Sequence, residues 1–219
     1  GPIAFGSGSD GKWHYTNNGT SGSFSTDPID VYTTYNSGDM RVHINETHTP
    51  SWLRVQPPQD SNFHTLRKKI TFPTNMLVYC RFRFTQNINE GSSGNPHFRF
   101  SINDGTPHLN DGDSNSLKMS VSSGVLRAAS MRTDGGTPSE ITTTTDVDDQ
   151  GQALEYFFLH KVGNTYYYWT ATESNFIYLG SYTNAYTPTE VVLEYHNHND
   201  QNIISMDFVR FIETDEFPF

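Results

Sequence analysis

The sequence predicts an all-β chain, a two-sheet antiparallel β-sandwich with almost no helix, on three observations. Residues 153–212 hold a succession of runs, ALEYFFLHK, TYYYWTA, SNFIYLGSY, EVVLEYHNH and IISMDFVRFIE, each of strand length and rich in aromatic or β-branched residues, separated by turn residues such as Gly163-Asn164. The central runs alternate with a period of two, which is the pattern of a sheet with one buried and one wet face. No window carries a helical period.

Taken in order, Gly1-Pro2 reads as a remnant of protease cleavage. That leaves residues 3–219 as a single β-sandwich domain cut from a longer protein. Residues 3–26 are rich in Gly, Ser, Thr and Asn and predict a loose first strand around Lys12–Thr16 followed by a long loop. VYTTY at 31–35 and MRVHIN at 40–45 predict short strands joined by a turn at Asn36-Ser37-Gly38-Asp39. SWLRVQPP predicts another, ended by Pro57-Pro58 because proline cannot donate to a ladder. In MLVYCRFRF, Met76, Val78, Cys80, Phe82 and Phe84 point to one side, and Leu77, Tyr79, Arg81 and Arg83 to the other. HFRFSI sets Phe98, Phe100 and Ile102 against His97, Arg99 and Ser101; SLKMSV sets Leu117, Met119 and Val121 against Ser116, Lys118 and Ser120. The turn Ser122-Ser123-Gly124 leads into VLRAASMR, and the closing runs read as a meander. Alternation in TYYYWTA puts Tyr166 and Tyr168 on one face and Tyr167 and Trp169 on the other; Trp169 reads as core packing. Neither an internal repeat nor an internal linker is visible, so one domain is expected.

The chain has 219 residues, a size at which a sandwich stays undivided and buries a real core. It carries 15 Phe, 12 Tyr and 3 Trp, and a net charge of −10. That charge argues against general nucleic-acid binding, which needs a basic surface to meet phosphates. No apolar run approaches the roughly 20 residues that cross a bilayer, so membrane insertion is not expected. The single cysteine, Cys80, falls in a strand and reads as a buried thiol acting as a small apolar side chain. It excludes an intrachain disulfide but not an extracellular home, since a core of this size needs no cross-links.

Motifs for chemistry are sparse. G-x-S-x-G, H-E-x-x-H and the P-loop are absent. Glu155 and Glu194 lie in strand-like runs and could face one sheet surface together, as acid/base work requires; residues of this kind more commonly pair with arginine. Glu213-Thr214-Asp215-Glu216 lies in the tail. His196-Asn197-His198 reads as a polar turn rather than a zinc site, for want of a converging third ligand. Calcium is the better metal candidate. NDGDSN places Asp111, Asp113 and Asn115 at alternate positions, and hard oxygen ligands at that spacing can wrap the ion. Asp146, Asp148 and Asp149 form a second acidic loop. The glycine and distal glutamate of an EF-hand are missing, and the same residues are ordinary turn formers.

The wet side of the central strands is the candidate binding face. By alternation it gathers Arg81, Arg83, Arg99 and Lys118, four of the 14 basic residues, with Tyr79 and His97. Arginine forks suit carboxylate or sulfate groups, and a tyrosine offers a plane for a sugar ring. The expected ligand is an anionic or hydroxyl-rich glycan; the alternative is a solvated sheet face whose arginines pair with neighbouring acids.

The pieces Phe157–Lys161, Gly163-Asn164, Tyr166–Trp169, Tyr178-Leu179-Gly180-Ser181 and Asp207–Phe211 together resemble the closing segment of the concanavalin A-like lectin/glucanase jelly rolls, over about the last two-thirds of the chain. The resemblance implies two stacked, curved antiparallel sheets, with ligands held on the concave face or its rim loops. Members include lectins, carbohydrate-binding modules, glycoside hydrolases and structural domains, so fold alone does not choose among them. Glucanases of this superfamily carry E-x-D-x-E on one strand; it is absent here, which leans the reading away from an enzyme. The segment FGSGSDG resembles the start of surface-exposed domains in phage and prokaryotic structural proteins. The expectation is therefore a non-catalytic, lectin-like module for carbohydrate binding or surface attachment in a larger extracellular, cell-surface or virion protein, with a glycan or polysaccharide as partner. Homo-oligomerisation through the parent protein is an option. The alternatives are a purely structural or oligomerising domain, and a glycoside hydrolase or lyase with an atypical site.

Overall fold

The computed structural model describes residues 12–29, 35, 37–44, 52–84, 97–122, 125–145, 152–197 and 203–219. Among them lie fifteen strands and no helix. In chain order these are β1 (His14–Asn17), β2 (Thr20–Ser21), β3 (Arg41–Ile44), β4 (Leu53–Gln56), β5 (His64–Lys69), β6 (Asn75–Phe84), β7 (His97–Asn103), β8 (Ser114–Ser122), β9 (Val125–Asp134), β10 (Thr137–Thr145), β11 (Tyr156–Val162), β12 (Thr165–Ala171), β13 (Phe176–Thr183), β14 (Glu190–His196) and β15 (Ile204–Ile212). They form two sheets, one of eight strands in the order β10-β9-β8-β7-β14-β5-β1-β2 and one of seven in the order β13-β12-β11-β6-β15-β4-β3. Every named strand pair is antiparallel.

The period of two decides what lies between the sheets. β6 sends Val78, Cys80 and Phe82 inward, β7 sends Phe98, Phe100 and Ile102, and β12 sends Tyr166 and Tyr168. Phe82 packs against Phe157 at 4.6 Å on its own sheet and against Phe98 at 5.3 Å on the facing one. Each such ring, fully buried, contributes about 1.5–3 kcal/mol. Polar pins cross the core as well. The Tyr168 hydroxyl donates to the Met131 carbonyl at 2.9 Å and accepts from Asn115 Nδ2 at 2.6 Å.

Several expectations are corrected. The closing runs are not one meander. β11, β12 and β13 are consecutive neighbours in the seven-stranded sheet, but β14 crosses to the other sheet between β7 and β5, and β15 returns between β6 and β4. Trp169 points out of the sandwich and stacks on Phe217 at 4.9 Å, while Tyr166 and Tyr168 take the core side. The long loop expected after the first strand begins as a tight hairpin instead. Asn18 and Gly19 hold φ of 48° and 79°, the two positive values of a type I′ turn, and β2 folds back on β1. β5 and β10 were not expected as strands. VYTTY (except Tyr35), FGSGSDG, His198 and the loop holding Asp146, Asp148 and Asp149 lie outside the described residues.

The β1–β2 turn also supports the loop at 104–113. A Cβ at Gly19 would stand 2.5 Å from Pro107 Cβ, at a φ that L side chains rarely adopt. Gly19→Ala is therefore expected to destabilise the chain by about 1–3 kcal/mol, read from guanidinium denaturation midpoints. An unchanged midpoint would mean that the loop does not rest on this turn.

Candidate functional site

The six residues expected on one binding face divide between the two outer faces of the sandwich. Tyr79, Arg81 and Arg83 come from β6 in the seven-stranded sheet; His97, Arg99 and Lys118 come from β7 and β8 in the eight-stranded one. Alternation separates the core side from the outer side correctly in each strand, but the two outer sides are back to back. Glu155 and Glu194 are parted in the same way: Glu155 binds Arg81 and Arg83 on one face, and Glu194 sits on β14 on the other.

On the eight-stranded face, register builds a charged row. Glu194 lies opposite Arg99, Arg99 opposite Lys118, and Lys118 opposite Ala129. Arg99 is buried. It donates through Nε to Ser116 Oγ at 2.8 Å, through Nη1 to Asn110 Oδ1 at 2.7 Å, and through Nη2 to Ser114 Oγ and Thr133 Oγ1, both at 3.3 Å. Its guanidinium is therefore spent on structure. Arg67 does similar work on β5. It pairs with Glu190 at 2.8 Å and donates to the carbonyls of Thr106 and Pro107. The two arginines, with Ser114 Oγ donating to the Leu109 carbonyl at 3.1 Å, hold the 104–113 loop against the sheet.

Beside this loop, Phe63, His108, Leu109, Asn110, Asp111 and Glu194 line an open cavity of about 220 Å³. Phe63 stacks on His196 with centroids 4.7 Å apart, and His97 stacks on His196 at 5.2 Å. His97 Nε2 donates to Glu194 Oε1 at 2.7 Å. Burial by itself would raise the Glu194 pKa. The hydrogen bond from His97 and the electrostatic influence of His97, Arg99 and His196 outweigh it and hold the carboxyl down to about 2. Lys118 is half-buried, and its ammonium makes no hydrogen bond or ion pair among the described residues. Burial first, and then the Arg99 charge, lower its pKa.

On the seven-stranded face the alternative reading of the arginines holds. Arg81 pairs with Glu155 at 3.0 Å, Glu173 at 2.9 Å and Asp207 at 3.5 Å, and Arg83 pairs with Glu155 at 3.1 Å. Both stack over Trp52, at 5.2 and 4.9 Å. Tyr79 belongs to an aromatic layer, stacked on Phe158 at 5.4 Å.

The calcium expectation does not fit these residues. Asn115 points into the core, where its amide is bonded to Tyr168 and Asn184, so it cannot join Asp111 and Asp113. Asp113 Oδ1 accepts from the Gly135 amide at 2.8 Å, as a turn residue does. Asp111 lies on the rim of the cavity. Among the described residues no three His, Cys, Asp or Glu side chains converge as metal ligands.

Phe63, His108 and Arg67 were not singled out from the sequence. They belong to β5, its approach and the 104–113 loop, and what makes them a site is the loop folding onto the sheet.

No family model matches the sequence, and no curated protein matches it significantly. Solved structures do. The Bacillus licheniformis β-glucanase superposes with a TM-score of 0.56 at 9% identity, over 94% of each chain. The exoplasmic/lumenal domain of VIP36, in its Ca2+/Man3GlcNAc-bound form, gives 0.56 at 11%, over 80% of this chain and 84% of that one. GH43B of the Bacteroides ovatus xyloglucan locus gives 0.55 at 11%, over 89% of this chain but only 41% of its own length. Identities this low show the fold: the jelly-roll sandwich of concanavalin A-like lectins and glucanases.

Proposed function

We propose that the protein is a non-catalytic carbohydrate-binding module and that the eight-stranded face carries its glycan site. The observation that carries this reading is the cavity between the 104–113 loop and β14. There a stacked ring, Phe63, stands beside Glu194, His108 and Asp111, with Lys118 further along the row. A sugar needs this combination: an apolar plane for its C–H face, and fixed donors and acceptors for its hydroxyls. The arginine face expected from the sequence is thereby narrowed to His97 and Lys118 and enlarged by loop residues, with Arg99 acting from beneath.

The state of the carboxylates supports binding rather than hydrolysis. A glycosidase needs one carboxyl kept protonated near neutral pH. Glu194 is held ionised by its basic neighbours, and Glu155 is gripped by two arginines. The folds it resembles include a domain captured with Man3GlcNAc and a β-glucanase, which favours a sugar ligand and an extracellular or surface setting.

The test is a glycan-array screen followed by calorimetric titration of the best hit. Phe63→Ala and Lys118→Ala are each expected to weaken binding at least about tenfold with little change in melting temperature. An array with no hit, or variants that bind as the unaltered protein does, would remove the proposal.

A further inference from the structure

The outer face of the seven-stranded sheet carries a second cleft that glycan binding on the opposite face does not use. Tyr79 of β6, Phe158 of β11 and Phe208 of β15 pack together at 5.4 and 5.5 Å. The chain's closing segment folds over them, with Phe219 set 5.4 Å from Tyr79 and 5.6 Å from Phe158. Between these rings, Tyr156 and Phe176 remains a cleft of about 330 Å³, at the small end of ligand pockets. Thr172, Glu173 and Ser174 supply a polar rim.

The cation of this cleft is uncommitted. Arg210 lines it, with the guanidinium 3.9 Å from the centroid of the Phe208 ring. Among the described residues it makes no ion pair or hydrogen bond. The nearby acids Glu155, Glu173 and Asp207 make their ion pairs with Arg81 and Arg83 and none with Arg210. Stacking on Phe208 fixes the plane of the fork while leaving its edge free, and that edge matches the two oxygens of a carboxylate. A single arginine suits a monoanion better than a phosphate dianion, which calls for several donors.

We propose that this cleft binds a six-membered ring bearing a carboxylate, with the ring between the aromatic walls and the carboxylate on Arg210. Two sources share that chemistry: a uronic acid unit of an acidic polysaccharide, and a phenolic acid. The test is an NMR and calorimetric titration of the whole chain with sodium glucuronate against glucose, and with 4-hydroxybenzoate against 4-hydroxybenzyl alcohol. At least one acid is expected to bind about tenfold or more tightly than its neutral partner. Arg210→Gln is expected to abolish that preference, Arg210→Lys to restore part of it, and Phe176→Ala to weaken both members of the pair. Arg210 is exposed and Phe176 is 49% exposed, so these variants keep the fold. Glucuronate as the tighter acid assigns the site to acidic glycans, and 4-hydroxybenzoate assigns it to phenolic acids. If neither acid exceeds its neutral partner, or the preference survives in Arg210→Gln, the proposal is wrong. Lys118→Ala, on the far face, is expected to leave these titrations unchanged, so either site can fail without the other.

Discussion

Arg99→Met is expected to lower the stability of the chain by about 3 kcal/mol and to loosen the 104–113 loop. The guanidinium is fully enclosed and donates to four side chains, one of which, Asn110, belongs to that loop. A thioether fills part of the volume but offers none of the donors, and Glu194 loses one of the positive charges that favour its ionised form. Arg81→Met provides the contrast. Its part-buried partner Glu155 keeps Arg83 when Arg81 is replaced, and its pair with Glu173, whose side chain is 62% exposed, is worth at most about 1 kcal/mol. Guanidinium denaturation of both variants, with hydrogen exchange at the Asp113 amide that donates to Asp104, separates the two cases. A loss below about 1 kcal/mol in Arg99→Met, with exchange in the loop unchanged, would show that this arginine does not anchor the loop.

Acid is expected to unfold the protein through Glu194. Its folded pKa of about 2 lies below the ordinary 4.5, so the folded state binds its proton less readily than the unfolded chain does. The resulting stabilisation is complete above about pH 4.5. It fades as pH falls toward 2, for a total of about 3 kcal/mol. Urea denaturation at pH 6, 4 and 3 reads this loss. Glu194→Gln removes the titrating proton, so it is expected to be less stable at pH 6 and to lose less on acidification. If both proteins lost the same amount between pH 6 and pH 3, the acid sensitivity would belong to other groups.

Much of the architecture was readable from hydrophobic alternation. β6, β7 and β8 carry apolar residues at every second position, and of the expected inward sets Met76, Val78, Cys80, Phe82, Phe98, Phe100, Ile102, Leu117 and Met119 pack in or against the core. β11 to β15 announced themselves by aromatic and β-branched content. β10 did not, because it is an edge strand, TPSEITTTT, with little burial on either side, so no core pressure shapes its sequence. Its only signal was the Gly135-Gly136 turn before it, whose φ values of 57° and 79° bend β9 back. Asn18-Gly19 gave the same signal for β2. β5 reads as a basic run, HTLRKK, yet His64, Thr65 and Arg67 are buried, each with polar partners that local sequence cannot show.

The site was only half legible, for a topological reason. Alternation tells which side of a strand faces the core, but not which sheet the strand joins. β6 and β7 are successive and both arginine-bearing, so they invite assignment to one surface; in the fold they belong to facing sheets. The ligand set Asp111, Asp113 and Asn115 comes apart on strand phase. Asn115 shares the spacing of Asp111 and Asp113, but β8 begins at Ser114, so Asn115 turns inward to meet Tyr168.

The lone cysteine offers a use that depends on nothing at either face. Cys80 sits in the middle of β6 with no surface exposed, and burial pushes its thiol pKa far above normal, so the sulfur is inert while the two layers stay closed. A thiol-reactive dye then becomes a stopwatch: its rate of attachment counts how often the sandwich parts, with no cysteine engineered in and no second thiol to confuse the signal.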